Sequence, residues 1–213
     1  MRDVRAAGRR PTRTNRTAAE WDEVYTGTPP WDTGRPQPAF VALADAGALT
    51  GRLLDVGCGT GEHALLAAAH GADATGVDIA ARAIAAARAK AAERGLSAEF
   101  LISDAMHLDR LRAPFDVVLD SGVFHTFDDE DRPRYVASLA AVLHAGGRYH
   151  LLCFSDRTPG TWGPRRVTQQ ELRTAFAEGW LVERLEQAEF ELAEGDPVAS
   201  SVAAWFATIV RSA

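Results

Sequence analysis

Short apolar runs of strand length alternate with alanine- and leucine-rich helical segments along most of the chain. The first five predicted strands cover residues 53–56, 76–79, 98–102, 115–120 and 148–154. Helical patterns cover residues 39–48, 64–70, 80–94, 133–144 and 168–178. Two longer strand patterns, 180–192 and 201–210, follow with only a turn between them and predict a hairpin. The pattern predicts an α/β fold of three αβα layers, with about seven mostly parallel strands and a C-terminal antiparallel hairpin.

Polar residues and glycines mark where several of these helices begin and end. Thr17 and Thr168 each precede a glutamate by three positions, the pattern of a capping box at a helix start. Gly95 predicts the end of the alanine-rich helix. Asp131 or a neighbouring acid is expected to begin the helix that Gly146-Gly147 ends.

The connection from the first strand to its helix has the most distinctive spacing in the chain. Asp55 is followed by Gly57, Gly59 and Gly61 at alternate positions. Glycine adopts positive φ in a tight turn and lets a ligand lie against the backbone. A dinucleotide fingerprint would need its third glycine at position 62, which is Glu62, and no Lys-Ser or Lys-Thr completes a phosphate-binding loop. The loop therefore favours a ligand that carries positive charge over a pyrophosphate.

An acidic residue lies at or just past the end of four of the predicted strands. These residues are Asp55, Asp78, Asp104 and Asp120. Ligands bind outside the carboxyl ends of the strands in open α/β sheets, so the four side chains are expected to share one site. Asp104 also fits a simple role as a helix N-cap.

The glycine loop and the spaced acids resemble the class I S-adenosylmethionine-dependent methyltransferases, whose sheet is Rossmann-like and doubly wound. The resemblance extends from about Trp21 to Trp180. It implies that the glycine loop lies under the methionine part of the cofactor, that Asp78 binds the ribose hydroxyls, and that Asp104 and Met106 contact the adenine. The cofactor contacts it implies are Trp31, Gly34, Arg35, Asp55, Gly57, Cys58, Gly59, Thr60, Gly61, Asp78, Ile79, Asp104, Ala105, Met106, Asp120 and Ser121.

A proline-rich loop at residues 28–38 narrows the resemblance. Its Pro-Trp-Asp-x-Gly-Arg pattern, from Pro30 to Arg35, is similar to a branch that contains thiol and halide methyltransferases and is related to thiopurine and tellurite-resistance methyltransferases. In that branch the segment closes over the cofactor and walls the acceptor pocket. The resemblance implies that Trp31 packs over the cofactor and that Arg35 reaches a carboxylate or backbone group nearby. We expect one methyltransferase domain over residues 17–213, with 17–50 as helices and lid and 1–16 as a disordered basic leader.

The acceptor side is less well specified. Methyl transfer needs an aligned nucleophile and exclusion of water; a thiol is partly ionised at neutral pH, whereas an alcohol needs a base. His125 is the candidate base, with Asp120 as a second catalytic candidate, although a histidine in this place also fits a structural role. Arginines of the loop after the fifth predicted strand could bind an anionic acceptor or simply face solvent. The candidates for contacting the acceptor are Trp21, Tyr25, Trp31, Phe124, His125, Arg157, Trp162 and Arg165.

Several activities remain open. The stretch Asp120-Ser121-Gly122-Val123 lacks the Asn/Asp-Pro-Pro-aromatic motif of nucleic-acid amino methyltransferases, and a magnesium-binding acid set cannot be assembled from spacing. The first choice is S-methylation of a thiol or thione on a small organic molecule. N- or O-methylation of an aromatic heterocycle, in detoxification or natural-product biosynthesis, is the alternative. A non-catalytic S-adenosylmethionine-binding protein is the alternative from another class.

Charge and composition limit the partners. Net charge is -6, yet residues 1–16 hold six arginines and one aspartate, so the rest carries 17 basic and 28 acidic residues. An acidic body does not favour nucleic acid, and no apolar stretch is long enough to span a membrane. Cys58 and Cys153 predict neither a disulfide nor a metal site. We expect a cytoplasmic monomer or homodimer whose partner is a small-molecule methyl acceptor.

Overall fold

The computed structural model describes residues 16–112, 114–196 and 199–212. Its strands are β1 Arg52–Val56, β2 Asp73–Asp78, β3 Glu99–Ile102, β4 Phe115–Ser121, β5 Leu143–Phe154, β6 Trp180–Glu191 and β7 Ser201–Arg211. They form one seven-stranded sheet in the order β3-β2-β1-β4-β5-β7-β6. The first five strands are parallel, and β7 is antiparallel to both β5 and β6. The predicted mostly parallel sheet with a C-terminal hairpin is confirmed.

Helices cover both faces of this sheet. They are α1 Ala18–Val24, α2 Pro38–Asp45, α3 Glu62–Ala69, α4 Ala81–Arg94, α5 Asp131–Val142 and α6 Gln169–Ala175. Successive strand residues point to opposite faces. Accordingly Leu54 and Val118 pack in the core with α5 and α6, whereas Leu53 and Val117 pack in the core with α2 and α3. The sheet is the middle of three layers, as the sequence predicts.

The predicted capping boxes are present at both positions. The Thr17 side chain accepts from the Glu20 backbone N–H, and the Glu20 carboxylate accepts from the Thr17 N–H in return. Thr168 and Glu171 make the same exchange at the start of α6. Gly95 ends α4 in the left-handed conformation, with φ 64°. Local sequence signals therefore fix these helix boundaries.

The boundary between α5 and β5 differs from the prediction. The helix ends at Val142, and Gly146-Gly147 lie inside β5 instead of ending the helix. The pairing of β4 with β5 shifts register there, and Gly146 has φ 85°. At the other end, α5 begins at Asp131 as expected, and the neighbouring acid Asp128 accepts from the N–H groups of Glu130 and Asp131 at 3.0 Å. The two glycines therefore lie at an irregularity in the pairing of β5. The preference of glycine for helix ends, on which the prediction relied, does not distinguish this role.

Of the predicted leader, residues 1–15 lie outside the described residues. Arg16 is described, and its guanidinium lies 4.8 Å from the centre of the Trp21 ring. Within residues 16–112, 114–196 and 199–212, none of the helices is both long and apolar enough to cross a bilayer.

Gly61 gives a stability test of the turn that follows β1. Its φ is 90°, and a Cβ there would lie 2.9 Å from both Ala87 Cβ and the Phe100 ring; Gly71 has a similar φ of 88° but nothing within 4 Å. We expect Gly71→Ala to lower the free energy of unfolding by about 1 kcal/mol, the strain of the left-handed region. Gly61→Ala should lose about 1–3 kcal/mol more through overpacking. Denaturant titration of both variants tests this, and equal losses would contradict it.

Candidate active site

A cavity of about 670 Å³ lies at the carboxyl ends of β1, β2, β3 and β4. The sequence-predicted residues on its wall are Trp21, Tyr25, Trp31, Gly57, Asp78, Ile79, Asp104, Ala105, Met106, Ser121, His125 and Trp162. The predicted residues that lie off the wall are Gly34, Arg35, Asp55, Cys58, Gly59, Thr60, Gly61, Asp120, Phe124, Arg157 and Arg165. The structure thus brings about half of the predicted set together around one space.

The glycine loop reaches the cavity wall at Gly57, and Gly59 lies behind the wall against Tyr25. Gly57 has φ 62° and Gly59 has φ 53°. A Cβ on Gly57 would lie 2.2 Å from Val123 Cγ2, and one on Gly59 would lie 3.0 Å from the Tyr25 hydroxyl. Both positions therefore need glycine for backbone conformation and for close approach of neighbouring groups.

Asp78 ties the glycine loop to the end of β2. Its Oδ2 accepts from the Gly59 N–H at 2.9 Å, and its Oδ1 accepts from the Ala80 N–H at 2.8 Å. Burial raises the pKa of this carboxyl, while these backbone donors pull the pKa down. The side chain stays on the cavity wall. It can thus hold the loop in place and contact a ligand at the same time.

Asp104 and Met106 form the part of the wall that follows β3. Asp104 Oδ1 accepts from the Met106 N–H at 2.9 Å and so caps the short 3₁₀-helix Ala105–Arg110. Both residues also line the cavity, together with Ile79. The helix-cap role and the wall position expected for Asp104 therefore coexist.

Asp55 lies below the glycine loop, off the cavity wall. Its Oδ2 accepts from the Ala64 N–H at 3.1 Å, inside the first turn of α3. Oδ1 has no hydrogen-bond partner among the described residues. Burial raises the pKa of this carboxyl to about 8, and the nearby Asp120 and Asp78 act in the same direction. Its visible role is to position α3 against the loop.

Asp120 also lies inside the protein, with 0% of its surface exposed. Its Oδ2 accepts from the hydroxyls of Tyr135 at 2.8 Å and Tyr149 at 2.6 Å, and its Oδ1 accepts from the Val123 N–H at 2.7 Å. Burial raises the pKa of Asp120 to about 6 despite these donors. The carboxyl stabilises the turn after β4 from within, so it is placed to position His125 rather than to contact a ligand.

His125 follows that turn and lines the cavity, with 4% of its surface exposed. Its Nδ1 accepts from the backbone N–H of Phe154 at 3.0 Å. Burial, helped by the charges of Arg132 and Arg166, lowers the pKa of His125 to about 3. The imidazole is therefore neutral at physiological pH.

The segment predicted to act as a lid contributes Trp21, Tyr25, Pro30 and Trp31 to the cavity wall. Trp31 donates from Nε1 to the Tyr25 hydroxyl at 3.2 Å, and its ring lies edge-on to Trp21 with centroids 6.0 Å apart. Arg35 points away from the cavity and pairs with Glu191 at 2.8 Å. The aromatic residues of the lid therefore face the cavity, while Arg35 anchors the lid to β6.

The other cationic and aromatic candidates are used elsewhere. Arg157 lies over the Trp205 ring at 5.1 Å. Arg165 pairs with Asp129 and Glu171. Phe124 is fully buried beneath the Arg132 guanidinium, which lies 4.8 Å from the ring centre. None of the three reaches the cavity wall formed by the described residues.

Sequence reasoning missed part of the acceptor wall. Phe154 is the last residue of β5 and Phe190 the last but one of β6, and their ring centroids lie 5.3 Å apart. Both line the cavity beside His125 and Trp162. Both were predicted as strand residues, but only the sheet order, which brings β5 and β6 to one side of β4, places them at the site.

Comparisons with known proteins agree with this arrangement. A family model for a methyltransferase domain matches residues 53–147. A 2-heptyl-1-hydroxyquinolin-4(1H)-one methyltransferase of Mycobacteroides abscessus is 34% identical over 180 residues, 83% of this chain and 79% of that protein. Thiocyanate methyltransferase 1 of Arabidopsis thaliana is 29% identical over 136 residues, 63% of this chain and 59% of that protein.

A similar solved structure comes from work on the conversion of a disulfide bond into a thioacetal group during echinomycin biosynthesis. It is 36% identical with a TM-score of 0.83, over 92% of this chain and 93% of that one. The glycine loop, the strand-end acids and these relatives agree. The chain therefore belongs to the class I S-adenosylmethionine-dependent methyltransferases.

Proposed function

We propose that this enzyme S-methylates a thiol or thione on a small organic molecule. The observation that carries the proposal is an aromatic chamber beyond the glycine loop, walled by Phe127, Phe154, Trp162 and Phe190. Aromatic walls suit a flat or compact apolar acceptor. Neither Arg157 nor Arg165 lies on the wall, so neither of these two arginines is placed to recognise the acceptor.

The residues of the other half of the cavity fit the cofactor. Asp78 would bind the ribose hydroxyls, Asp104 the adenine amino group, and Met106 the adenine ring. Gly57 presents its backbone on the cavity wall, which suits close approach of the methionine part of the cofactor. When bound, S-adenosylmethionine supplies an activated methyl group on a sulfonium. The chain's own residues bind and orient the two reactants and exclude water from them. None of these residues has to act as a nucleophile.

Sulfur is the first choice because of the chemistry of the relatives. The 36% identical structure belongs to work on a disulfide and a thioacetal, and a 29% identical relative is named for thiocyanate. A thiol also suits a site without an evident general base, because its pKa of about 8.5 gives some thiolate at neutral pH.

O- or N-methylation of an aromatic heterocycle is the second candidate. The 34% identical relative is named as a hydroxyquinolone methyltransferase, and the aromatic walls also suit a fused planar ring. Both candidate reactions use the same cofactor-binding half of the cavity. They differ only in the acceptor atom that receives the methyl group.

Transfer of labelled methyl separates the candidates. S-adenosylmethionine with a labelled methyl group is offered with aromatic thiols, phenols, N-heterocycles and iodide at equal concentration. We expect the thiols to be labelled, and Asp78→Ala, which removes the proposed ribose ligand, to transfer no label. Labelling of hydroxyl or ring nitrogen alone would replace the sulfur assignment with the second candidate. Cofactor binding without any turnover would instead favour a non-catalytic binding protein.

Two tryptophans test the division of the cavity. Trp31 contacts Tyr25, which lies against Gly59 on the cofactor side, whereas Trp162 packs edge-on to Phe154 with centroids 6.0 Å apart. We expect Trp31→Ala to raise the Kd of S-adenosylmethionine well beyond about tenfold, since tenfold is only about 1.4 kcal/mol of lost contact. Trp162→Ala should raise the KM of the acceptor and leave that Kd within about threefold. Calorimetric titration with the cofactor measures both Kd values, and an unchanged Kd for Trp31→Ala would refute the proposed lid.

A further inference from the structure

We propose that His125 binds the methyl acceptor by donating a hydrogen bond from Nε2, and that the acceptor enters as an anion. The inference rests on the methyl transfer proposed above and specifies which acceptors the site takes. Thiolates and acidic N-hydroxy or phenolic oxyanions belong to this class, and aliphatic alcohols do not. His125 is then a donor, not the general base that its place in the sequence suggests.

The position of the imidazole proton follows from one hydrogen bond. The backbone N–H of Phe154 can only donate, and it lies 3.0 Å from Nδ1 of His125. Nδ1 must therefore present its lone pair, and the single proton of the neutral ring lies on Nε2. A ring nitrogen that already carries a proton cannot remove one from the acceptor.

The Nε2–H group borders the acceptor chamber. Nε2 lies 3.1 Å from the position that a Cβ would take on Gly122, itself a wall residue. The rings of Phe154 and Phe190 flank the imidazole, with centroids 4.9 and 6.1 Å away. Among the described residues, no group shares a hydrogen bond with Nε2. A donor among apolar walls favours an anionic oxygen or sulfur, because charge-assisted hydrogen bonds are stronger where water is scarce.

The charges that face His125 agree with an anionic acceptor. Arg132 of α5 and Arg166 of the loop after β5 both act on the imidazole. Asp131, an acid at the start of α5 that lies on the cavity wall, pairs with Arg134 at 2.8 Å. Asp78 and Asp104 follow β2 and β3, on the cofactor half of the sheet. Arg132 is itself paired with Glu171 at 3.1 Å, whereas the Arg166 guanidinium donates to backbone carbonyls of its own loop. Arg166 is therefore the cation whose charge favours an anionic acceptor beside the His125 donor.

The transfer needs no proton acceptor under this assignment. The lone pair of the anionic acceptor forms a bond to the methyl carbon while the carbon–sulfur bond of the sulfonium breaks. That bond's electron pair remains on the cofactor sulfur. The negative charge of the acceptor and the positive charge of the sulfonium cancel, and no proton moves.

The first test locates the proton without any substrate. In the free enzyme labelled with ¹⁵N-histidine, long-range ¹H–¹⁵N spectra assign the shifts of both ring nitrogens of His125. We expect a shift typical of an unprotonated nitrogen at Nδ1 and of a protonated one at Nε2, unchanged between pH 5 and 8. The reverse assignment, or a titration with a pKa near about 6.5, would overturn the proposal. This result does not depend on any methyl transfer, so it stands apart from a failure to find the acceptor.

The second test uses ring-substituted thiophenols of different acidity. The inflection in kcat/KM against pH should move with the pKa of each thiophenol. An inflection fixed at one pH across the series would reveal an enzyme base and refute the anionic acceptor. If that fixed inflection disappeared in Asp131→Asn, the base would be Asp131. Transfer to none of the series would instead count against the sulfur function proposed above.

Two substitutions of His125 test whether hydrogen-bond donation at the Nε2 position, and not the imidazole as a whole, is what the acceptor needs. The amide of Gln reaches the place of Nε2 and donates there but has no basic nitrogen, whereas that of Asn matches Nδ1 and keeps only the contact with Phe154. We expect His125→Asn to lower kcat/KM about 10- to 100-fold, which corresponds to the loss of a hydrogen bond to a charged group. His125→Gln should restore at least about tenfold of that loss, since its amide still donates at the place of Nε2. Thermal unfolding of both variants controls for folding. Equal loss in the two variants would contradict the donor role.

Discussion

The site depends on one buried carboxyl at the end of the central strand β4. Asp120 has no contact with solvent, and burial of an unpaired carboxylate would be strongly unfavourable. Two tyrosine hydroxyls and two backbone N–H groups compensate for that burial. Tyr135 comes from α5, Tyr149 from β5, and the N–H groups belong to Val123 and Phe124 of the turn after β4. One side chain therefore joins two strands, a helix and the turn that presents His125, and the acceptor wall keeps its shape because this network is complete.

The lid is held from both halves of the cavity at once. On the cofactor side, Thr60 of the glycine loop donates to Asp32 at 2.8 Å. On the acceptor side, the amide of Gln37 exchanges two hydrogen bonds with the backbone of Glu191, at 3.0 and 2.8 Å. Opening of the lid must break contacts at both ends. Trp31 directly precedes Asp32, so the first of these anchors also fixes the tryptophan on the cavity wall.

The parts of the site that sequence predicts are those set by local structure. Asp78 and Asp104 were predicted because each follows its own strand, and parallel strands bring their carboxyl ends to one edge. Arg165 shows where such reasoning stops: its position in a loop suggested a ligand, but carboxylates of two other segments, Asp129 and Glu171, neutralise it. Phe190 shows the converse. It reads as an ordinary strand residue, and it reaches the cavity only because β6 joins the sheet beyond β7, an arrangement that its own neighbours in sequence do not encode.

The position of the proton on His125 depends even less on neighbouring residues in sequence than the position of Phe190 does. It follows from the relative lengths of two strands. The register of β4 with β5 ends at the pair Ser121 and Leu152, because the chain turns away at Gly122. Phe154 lies two residues further along β5, past the end of β4. Its N–H has no strand partner on the β4 side and donates to the imidazole instead. Had β4 continued, that N–H would have joined the sheet ladder and Nδ1 would have been free to carry the proton. The difference between a hydrogen-bond donor and a general base at this site is thus set by how far one strand extends past its neighbour.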